Sequence, residues 1–443
     1  MALRQADALQ HPVEDRWDQL IQPGRVHRTM YTDPDIFELE MRKVFGGTWM
    51  FLGHDTEIPE PHDFVTKRMG LRPIILTRDG NGDVHALINR CTHRGAQVCR
   101  EDHGRKKFFT CGYHCWTYKS DGECVGIPQP KAYGPDFKLS DKRLGKIPLI
   151  ENYRGFNFGT LNPDMPPLKE HLKGALEYFD YWIDRNANLR VQANCQRYIN
   201  HCNWKCIYDN AGDGYHPPYS HESMLSMRTL RYESSLDMTY FGGADTDDGP
   251  MYAMALGNGH TFFDQRPEMY AEGRSAWESQ PPQPGREAFE AQLVAKYGKD
   301  ETVRMLDANM GAGMNLTIFP NLMLVGNQIQ VMEPLTVTTS QMSWYATLRD
   351  DMPAEVNALR MRSQEDFPIF GEVDDSANFE SCHAGMYVPE MEWVDIGRHM
   401  DKDETNVDDQ GRIKQPASSD IHMRHYYGEV KRLLKADLNL TLG

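Results

Sequence analysis

Two short segments of the sequence each place a cysteine close to a histidine. The chain reads C-T-H at positions 91–93 and C-G-Y-H at positions 111–114, with 17 residues between the two segments. Thiolates and imidazoles are ligands for zinc and iron, so two mixed pairs predict a metal site. The predicted ligands are Cys91, His93, Cys111 and His114.

The order of these ligands distinguishes two kinds of metal site. Structural zinc is the first alternative, because zinc is often held by two cysteines and two histidines. Zinc sites usually pair like ligands along the chain, whereas each segment here contributes one thiolate and one imidazole. That arrangement suits a two-iron, two-sulfur cluster in which two cysteines bind one iron and two histidines bind the other. The pattern therefore favours an electron-transfer cluster over zinc.

A second group of candidate ligands begins at Asp213, where the chain reads D-x2-H-x4-H through His216 to His221. Two histidines and one carboxylate on a single face bind Fe(II) and leave positions open for dioxygen and substrate. Taken alone, two histidines at this spacing are more often structural. We predict that Pro217-Pro218 ends a helix that begins near Asn203, and that the resulting turn lets the two imidazoles converge.

The composition indicates a folded protein with more than one domain. A chain of 443 residues exceeds the size at which one hydrophobic core stops growing, which predicts two domains. The formal net charge of -16 disfavours binding to nucleic acid. No apolar run reaches the roughly 18 to 20 residues that span a bilayer, and the N-terminus lacks a signal peptide's apolar core. We therefore expect a cytoplasmic protein, in which the cysteines clustered between Cys91 and Cys124 are metal ligands or buried thiols.

The first part of the chain predicts a small all-β domain. Residues 1–44 look helical in their second half, where Asp33-Pro34 starts a segment with apolar side chains at helical spacing. Short β-rich runs fill residues 45–160, and turn residues at 79–83 and 120–122 predict two hairpins. The two Cys/His segments are then expected on loops at strand ends.

The rest of the chain, residues 161–443, predicts an antiparallel sheet covered by helices. Residues 315–348 alternate apolar and polar side chains in several runs, as strands of an antiparallel sheet do. Residues 240–300 are mostly irregular and rich in Gly, Pro and acidic residues, which predicts surface loop, with a lid or a pocket wall as the alternative. Helical patterns lie at 167–183, 203–215, 286–297, 354–366 and 420–434. The whole chain is expected to be α+β, with the helical part of residues 1–44 belonging to the second domain.

The two groups of candidate ligands together resemble the Rieske non-haem iron oxygenases. The loops read CTHRG and CGYHCWTY, and N-W-K at 203–205, Asp209-Asn210 and the 213–221 motif follow in that family's order. Over nearly its whole length the chain looks most similar to large subunits of aromatic-ring-hydroxylating dioxygenases. Asp209 stands where the family usually has Glu, and Gly112 and Cys115 replace a proline and a glycine beside the cluster ligands. Neither loop position binds metal, so only a change in loop stiffness is expected.

This resemblance implies the fold, the cofactors and the metal ligands. It implies an all-β Rieske domain, a catalytic domain of helix-grip type and a [2Fe-2S] Rieske cluster on the four Cys and His residues above. It further implies one mononuclear Fe(II), with dioxygen as co-substrate. His216 and His221 are the implied iron ligands, with Asp375 as the expected third ligand and Asp374 as the reserve candidate.

The resemblance also implies an electron path and two catalytic residues. In the family, the aspartate at the position of Asp213 connects a Rieske histidine of a neighbouring subunit to an iron-bound histidine. The implied path therefore runs from His114 of one chain to Asp213 and His216 of the next. Asn210 belongs to the same family motif, and we expect it to act with Asp213 in catalysis.

Three functions are compatible with these residues. The favoured one is a terminal oxygenase that uses O2 and electrons from NAD(P)H to convert a small aromatic substrate to a cis-dihydrodiol. The alternative is a Rieske monooxygenase or demethylase acting on an aromatic acid or ether. A non-catalytic electron carrier or zinc module is the third interpretation, and it leaves the second group of ligands without a role.

The sequence also predicts the partners. It contains no G-x-G-x-x-G motif after a strand and no second cluster motif of four cysteines, so electrons are expected from a separate ferredoxin and/or reductase. The resemblance implies a homotrimeric α core, commonly with a β subunit. Neither nucleic acid nor a membrane is expected as a partner.

Overall fold

The computed structural model describes residues 13–222, 251–264, 285–310, 314–402 and 404–443, together with Ser275 and Trp277. Much of the predicted loop region at 240–300 lies outside these residues. The helices described are α1 (Val13–Leu20), α2 (Thr29–Thr32), α3 (Pro34–Lys43), α4 (Leu168–His171), α5 (Leu176–Arg185), α6 (Trp204–Ala211), α7 (Pro217–Ser220), α8 (Arg286–Tyr297), α9 (Lys299–Met310), α10 (Ala354–Phe370), α11 (Glu372–Gly385) and α12 (Ile421–Lys435).

The strands described lie in five antiparallel sheets. They are β1 (Ile21–Gln22), β2 (Arg25–His27), β3 (Met50–His54), β4 (Asp63–Met69), β5 (Arg72–Arg78), β6 (Val84–Ile88), β7 (His103–Arg105), β8 (Phe108–Thr110), β9 (Thr117–Lys119), β10 (Cys124–Gly126), β11 (Leu149–Tyr153), β12 (Phe156–Thr160), β13 (Leu189–Asn200), β14 (Tyr252–Ala255), β15 (Thr261–Asp264), β16 (Met314–Ile318), β17 (Leu322–Val325), β18 (Gln328–Thr336), β19 (Thr339–Arg349), β20 (Trp393–Asp395) and β21 (Ile413–Pro416). The predicted α+β class is confirmed.

The first β-rich part of the chain holds the two Cys/His segments. One sheet has the strand order β6-β5-β4-β7, a second has β10-β9-β8, and a third has β11-β12-β3. Both predicted hairpins are confirmed, because β5 pairs with β6 and β9 pairs with β10. Gly82 and Gly122 take positive φ values of 95° and 87° in the two turns, a conformation that glycine adopts without steric cost. Cys91 and Cys111 lie in this domain's hydrophobic core.

The second part of the chain is built on one eight-stranded antiparallel sheet. Its strand order is β13-β19-β18-β17-β16-β15-β14-β21, and the predicted sheet at 315–348 corresponds to four of these strands. The prediction of loop at 240–300 is wrong for β14 and β15, which pair with each other across the turn at 257–260. Both strands are almost wholly buried and short, so they lack the alternation that identifies a half-buried strand.

The two faces of this sheet pack against different helices. Ile329 and Val331 of β18 point to the side that packs with aromatic residues of α5. Met332, on the opposite side, belongs to a core cluster with residues of α6, α11 and α12. The second face therefore supports the helices that carry the candidate iron ligands.

The helix at Asn203 ends earlier than the sequence predicted. α6 stops at Ala211, and a Cβ at Gly212 would lie only 2.9 Å from the Cβ of His422, so only glycine fits there without displacement. Pro217 then occupies the first turn of α7, where its fixed φ favours a helix start. The prediction that Pro217-Pro218 ends the helix is therefore wrong, because these prolines begin the next one.

The N-terminal segment packs on the second part of the chain. β1 and β2 form a sheet with β20, and α1 and α3 contact α12. Asp33 accepts hydrogen bonds from the backbone N–H groups of Asp35 and Ile36, which caps α3 at the predicted start. None of the helices in the described part of the chain combines the length and apolar character needed to cross a bilayer.

Candidate metal centres

Each Cys/His segment forms the same kind of turn. Gly95 N–H donates to the carbonyl of Cys91, and Cys115 N–H donates to the carbonyl of Cys111, both at 2.9 Å. The residue that closes each turn has positive φ, 81° at Gly95 and 55° at Cys115. A non-glycine residue pays about 1–2 kcal/mol for this left-handed conformation. The cysteine in place of the family's glycine therefore adds local strain to the second loop.

The side chains at this first centre fit a Rieske cluster. Cys91 and Cys111 are buried, and the rings of His93 and His114 lie with centroids 4.6 Å apart. The Nδ1 atom of His93 is buried and has no hydrogen-bond partner among the described residues. A buried imidazole nitrogen without a partner is unfavourable unless it binds a ligand such as iron.

The spacing of these four ligands also bears on the zinc alternative. Three ligand atoms that share one metal ion lie close together, and one such group, with its atoms within 4.8 Å of one another, is present among the described residues. That group does not include Cys91 or His93. A single zinc ion holds its ligand atoms about 2.0–2.3 Å away, which brings them close together. The wider spacing favours a cluster of two irons.

Two aromatic residues that the sequence left without a role complete the first centre. The ring of Trp116 stacks on His93 with centroids 4.9 Å apart and an interplanar angle of 2°. The hydroxyl of Tyr118 lies 3.2 Å from the Sγ of Cys91. Both residues are buried, and both lie in the CGYHCWTY motif. Hydrogen bonds to cluster sulfurs are among the factors that set a cluster's potential.

At the second centre, three distant side chains converge. His216 precedes α7, His221 follows it directly, and Asp375 lies in the first turn of α11. The Nε2 atoms of His216 and His221 lie 3.6 and 3.4 Å from the same Oδ1 atom of Asp375. These three side chains form the group whose ligand atoms lie within 4.8 Å of one another, as the sequence predicted. They fit the two-histidine, one-carboxylate set of a non-haem iron.

The opposite nitrogen of each imidazole faces a second carboxylate. His216 Nδ1 lies 3.4 Å from Asp213 Oδ2, and His221 Nδ1 lies 3.5 Å from Asp374 Oδ2. Carboxylates in this position fix the tautomer and orientation of metal-bound imidazoles. Asp374, the reserve ligand candidate, therefore contacts the outer nitrogen of His221, and Asp375 is the carboxylate between the two Nε2 atoms.

Asp213 is held by groups that the sequence did not connect with it. Arg398 Nη2 donates to Asp213 Oδ1 at 3.2 Å and to Asp420 Oδ1 at 2.5 Å, and its guanidinium lies 4.1 Å from the ring centroid of Tyr215. Burial alone would raise the pKa of Asp213, but the neighbouring His216 imidazole, 3.4 Å away, and other nearby positive charge lower it to about 2. Arg398 lies 185 residues from Asp213, and no motif marks it.

The predicted catalytic residue Asn210 contributes through its backbone. Its carbonyl accepts the N–H groups of Gly212 and Asp213, which shapes the turn after α6. Its neighbour Asp209 is half-buried and accepts hydrogen bonds from the hydroxyls of Tyr31, at 2.8 Å, and Tyr426. Burial raises the pKa of Asp209 to about 7, although these hydrogen bonds oppose the shift. The catalytic role of Asn210 stays a prediction.

Comparison with known proteins identifies families for both parts of the chain. Residues 48–152 match the family described as Rieske [2Fe-2S] domain, and residues 187–435 match the family described as ring hydroxylating alpha subunit (catalytic domain). The second match alone covers more than half of the chain.

Similar proteins agree with this assignment. The chain is 32% identical to the 2-halobenzoate 1,2-dioxygenase large subunit of Burkholderia cepacia, over 84% of this chain and 80% of that protein. It is also 32% identical to toluate 1,2-dioxygenase subunit alpha of Pseudomonas putida, over 82% and 79%. A crystal structure of a mutant naphthalene 1,2-dioxygenase bound to phenanthrene shares the fold, with a TM-score of 0.78, 23% identity and 95% coverage of both chains.

The family match and these relatives also establish what the chain does. Rieske domains bind a [2Fe-2S] cluster, and the ring-hydroxylating catalytic domain binds a mononuclear iron, so the chain has both cofactors. Electrons come from a reductase or ferredoxin partner, as in the family's oxygenase systems. The chain belongs to the ring-hydroxylating α-subunit family of Rieske oxygenases and is the terminal oxygenase component of an aromatic-ring dioxygenase.

Proposed function

We propose that His216, His221 and Asp375 bind the mononuclear Fe(II), and that the first centre binds the Rieske cluster through Cys91, His93, Cys111 and His114. The observation that carries the proposal is the convergence of both Nε2 atoms on one oxygen of Asp375. When bound, the iron supplies dioxygen activation and the cluster supplies electrons one at a time.

The carboxylates of Asp213 and Asp374, which face the Nδ1 atoms of the two histidines, orient these ligands for the metal. Asp374 accepts the Nδ1 proton of His221, and Asp213 faces the Nδ1 of His216 at 3.4 Å, so that each imidazole directs its Nε2 to the metal position. Arg398 holds Asp213 from its other oxygen. The protein thus orients the ligands before any metal or substrate binds.

For the electron path we propose transfer between chains, from His114 of one chain to Asp213 and His216 of the next, within a homotrimeric α core that also binds a β subunit. Among the described residues, no hydrogen bond or ion pair joins His93 or His114 to Asp213 or His216 of the same chain. On α7, the ring of Tyr219 is 59% exposed and lies 5.6 Å from the ring of Tyr215, which leaves an aromatic surface open to a neighbour. Asn210 is proposed to act with Asp213 at this junction.

The proposed substrate is a substituted benzoate. Both relatives quoted above are dioxygenases of benzoate-type acids according to their names. Gln330 lies on the sheet face that packs against α6 and α11; it is buried, and its Nε2 donor has no partner among the described residues. A buried donor of this kind discriminates strongly in favour of a ligand that accepts its hydrogen bond, such as a carboxylate.

The proposed domain division is 1–44 and 161–443 for the catalytic domain and 45–160 for the Rieske domain. The family matches at 48–152 and 187–435 support it, as does the packing of the N-terminal helices on α12. The proposed location is the cytoplasm, as the sequence indicated.

Product analysis with isotopically labelled oxygen tests this function. The chain is supplied with its β subunit, a reductase, NADH and substituted benzoates under 18O2. Two labelled oxygens in a cis-diol product are expected, whereas one labelled oxygen in a phenol, or demethylation with release of formaldehyde, would establish the monooxygenase alternative. In parallel, about three irons and two sulfides per chain are expected, and zinc without sulfide would disprove the assignment of the first centre.

Replacing Gln330 with Met should raise KM for benzoates about tenfold and leave KM for unsubstituted aromatic hydrocarbons unchanged.

A further inference from the structure

Charge is distributed very unevenly along this acidic chain. Residues 45–160 contain 17 Lys and Arg but 13 Asp and Glu, a formal charge of +4 in a chain of -16. The remaining residues therefore carry -20. The positive excess is concentrated at 90–146, where 12 Lys and Arg accompany 6 Asp and Glu. The part of the chain that holds the cluster is a basic region on an acidic protein.

Five of these cations surround the cluster loops, and we call them the basic rim: Arg90, Arg94, Lys138, Lys142 and Arg143. Arg94 directly follows His93, and a Cβ at Gly95 would lie 3.2 Å from the guanidinium of Arg90, so both arginines lie at the first loop. Thr92 Oγ1 donates to the carbonyl of Lys142 at 2.9 Å, which fixes the 138–143 segment beside the same loop.

Aromatic contacts connect that segment to the cluster ligands. The ring of Phe137 lies 6.3 Å from the ring of Trp116, which in turn stacks on His93. Lys142 Nζ lies 5.5 Å from the centroid of Phe137. The basic rim therefore lies on the His93 side of the centre, around one edge of the cluster position.

The charges of the basic rim are not neutralised within the chain. Arg105, Lys106 and Lys119 of the same domain form ion pairs with carboxylates. In contrast, no rim cation has a carboxylate within 4.0 Å among the described residues. Two exposed carboxylates lie near these cations in sequence, Asp141 within the 138–143 segment and Asp136 just before it. Four of the five rim cations are exposed and the fifth is half-buried, so their field extends into solvent.

We propose that the basic rim is the docking surface for the electron donor, and that this donor is an acidic redox protein. A rim of unpaired cations around a redox centre attracts a negatively charged partner and raises its association rate. On docking, one electron passes from the reduced donor to the oxidised Rieske cluster, so the donor is oxidised and the cluster is reduced. The overall charge of -16 would instead repel such a donor, so its approach depends on this local field.

This inference rests on the proposed function, which gives the two histidines different neighbours. His114 faces the next chain in the proposed trimer, which leaves the His93 side and the basic rim open to a donor. The rival occupant of the rim is the acidic second domain of another copy of this chain. Variants of the rim distinguish these two occupants. If the donor binds the rim, the variants reduce the cluster more slowly; if another copy of the chain binds it, the variants dissociate the assembly.

The test compares two double variants with the same change of charge in the iron-loaded oxygenase. Lys138→Glu with Arg143→Glu alters the basic rim, and Lys169→Glu with Lys299→Glu alters exposed lysines of the second domain. Stopped-flow absorbance follows reduction of the cluster by a reduced, acidic plant-type [2Fe-2S] ferredoxin. Photoreduction with 5-deazaflavin, light scattering and iron and sulfide content show that cluster and assembly are intact.

For the rim variant we expect a second-order rate constant at least tenfold below wild type at low ionic strength. The difference should shrink as salt is raised above about 0.5 M, because screening shortens the range of the field. The control variant should match wild type. Equal rates for wild type and rim variant would overturn the inference, and so would dissociation of the rim variant, which would identify a second copy as the occupant.

Small oxidants give a readout that is independent of any donor protein. Oxidation of the photoreduced cluster by anionic ferricyanide should slow as ionic strength rises, and oxidation by cationic hexaamminecobalt(III) should accelerate. If ferricyanide instead reacted faster and hexaamminecobalt(III) more slowly as ionic strength rises, the overall acidic charge would dominate at the cluster, which would contradict the inference. Absence of a reducible cluster would instead refute the proposed function.

Discussion

Asp374 and Asp375 are neighbours in sequence with different contacts at the iron position. Asp375 lies between the two Nε2 atoms, whereas Asp374 faces the Nδ1 of His221. Replacing Asp375 with Ala should abolish mononuclear iron binding and leave the cluster intact. Asp374→Asn should retain the iron with an affinity about 10- to 100-fold lower, as expected for a residue that orients a ligand. Fe(II) titration of the apoprotein measures both, and the reverse order of effects would make Asp374 the ligand.

Arg398 positions Asp213 without reaching the metal position. It binds the Asp213 oxygen that faces away from His216, and it also binds Asp420. Arg398→Gln should lower kcat roughly tenfold or more, because small displacements of a transfer group are costly. KM for the substrate and iron content should not change, and Arg398→Lys should recover part of the loss.

A matched control for this prediction lies elsewhere in the same domain. Arg412 also bridges two carboxylates, Asp408 and Glu177, and lies over a tyrosine ring at 5.4 Å. Arg412→Gln should leave kcat unchanged. Equal losses in both variants would indicate a general effect on folding, and a normal rate of cluster oxidation in Arg398→Gln would exclude a role in the electron path.

At the scale of elements, α6 is anchored by the half-buried carboxylic acid of Asp209. Asp209 bonds to Tyr31 of α2 and Tyr426 of α12, and its carbonyl lies 2.8 Å from His422 Nε2. Its pKa of about 7 in the folded chain exceeds the ordinary aspartate value of 3.8, so folding favours the protonated form. That contribution to stability is full below about pH 4 and is lost as pH rises through 7.

The variant Asp209→Asn isolates this contribution, because asparagine stays neutral. Wild type and variant should have similar free energies of unfolding below about pH 4, where Asp209 is protonated in both the folded and the unfolded chain. The wild-type value should then fall relative to the variant by about 1.4 kcal/mol per pH unit up to pH 7, and the difference should level off above it. Chemical denaturation at a series of pH values measures the difference. A difference that does not depend on pH would show that Asp209 is ionised throughout.

Local features of the elements and ligands could be predicted from the sequence, whereas contacts between distant segments could not. The ligand motifs were found because Cys91 to His114 and Asp213 to His221 are local, and hairpins and amphipathic helices have local patterns as well. Asp374 and Asp375 could be ranked only by resemblance, since their roles depend on the rotation of α11 against α7. Arg398 approaches from a distant loop, and β14 and β15 are buried without alternation. Tertiary contacts set each of these features.

At the scale of the whole molecule, the Rieske centre of a chain need not transfer its electrons to the iron centre of the same chain. The path proposed here makes each chain depend on its neighbour, as a head-to-tail ring allows. Two inactive variants test this dependence. His93→Ala with His114→Ala removes the cluster and keeps the iron site, whereas His216→Ala with His221→Ala removes the iron site and keeps the cluster.

Neither variant should turn over substrate alone, but denatured and reassembled mixtures should regain activity. In a randomly mixed ring, about a quarter of the junctions join an intact cluster on one chain to an intact iron site on the next. Recovered turnover per chain should therefore approach one quarter of the wild-type value treated in the same way. Mixtures made without reassembly should stay inactive, because they contain no rings that combine the two variants. If reassembled wild type is active and the reassembled mixture is not, electrons pass within a chain, and the role of Asp213 as a bridge between chains would have to be abandoned.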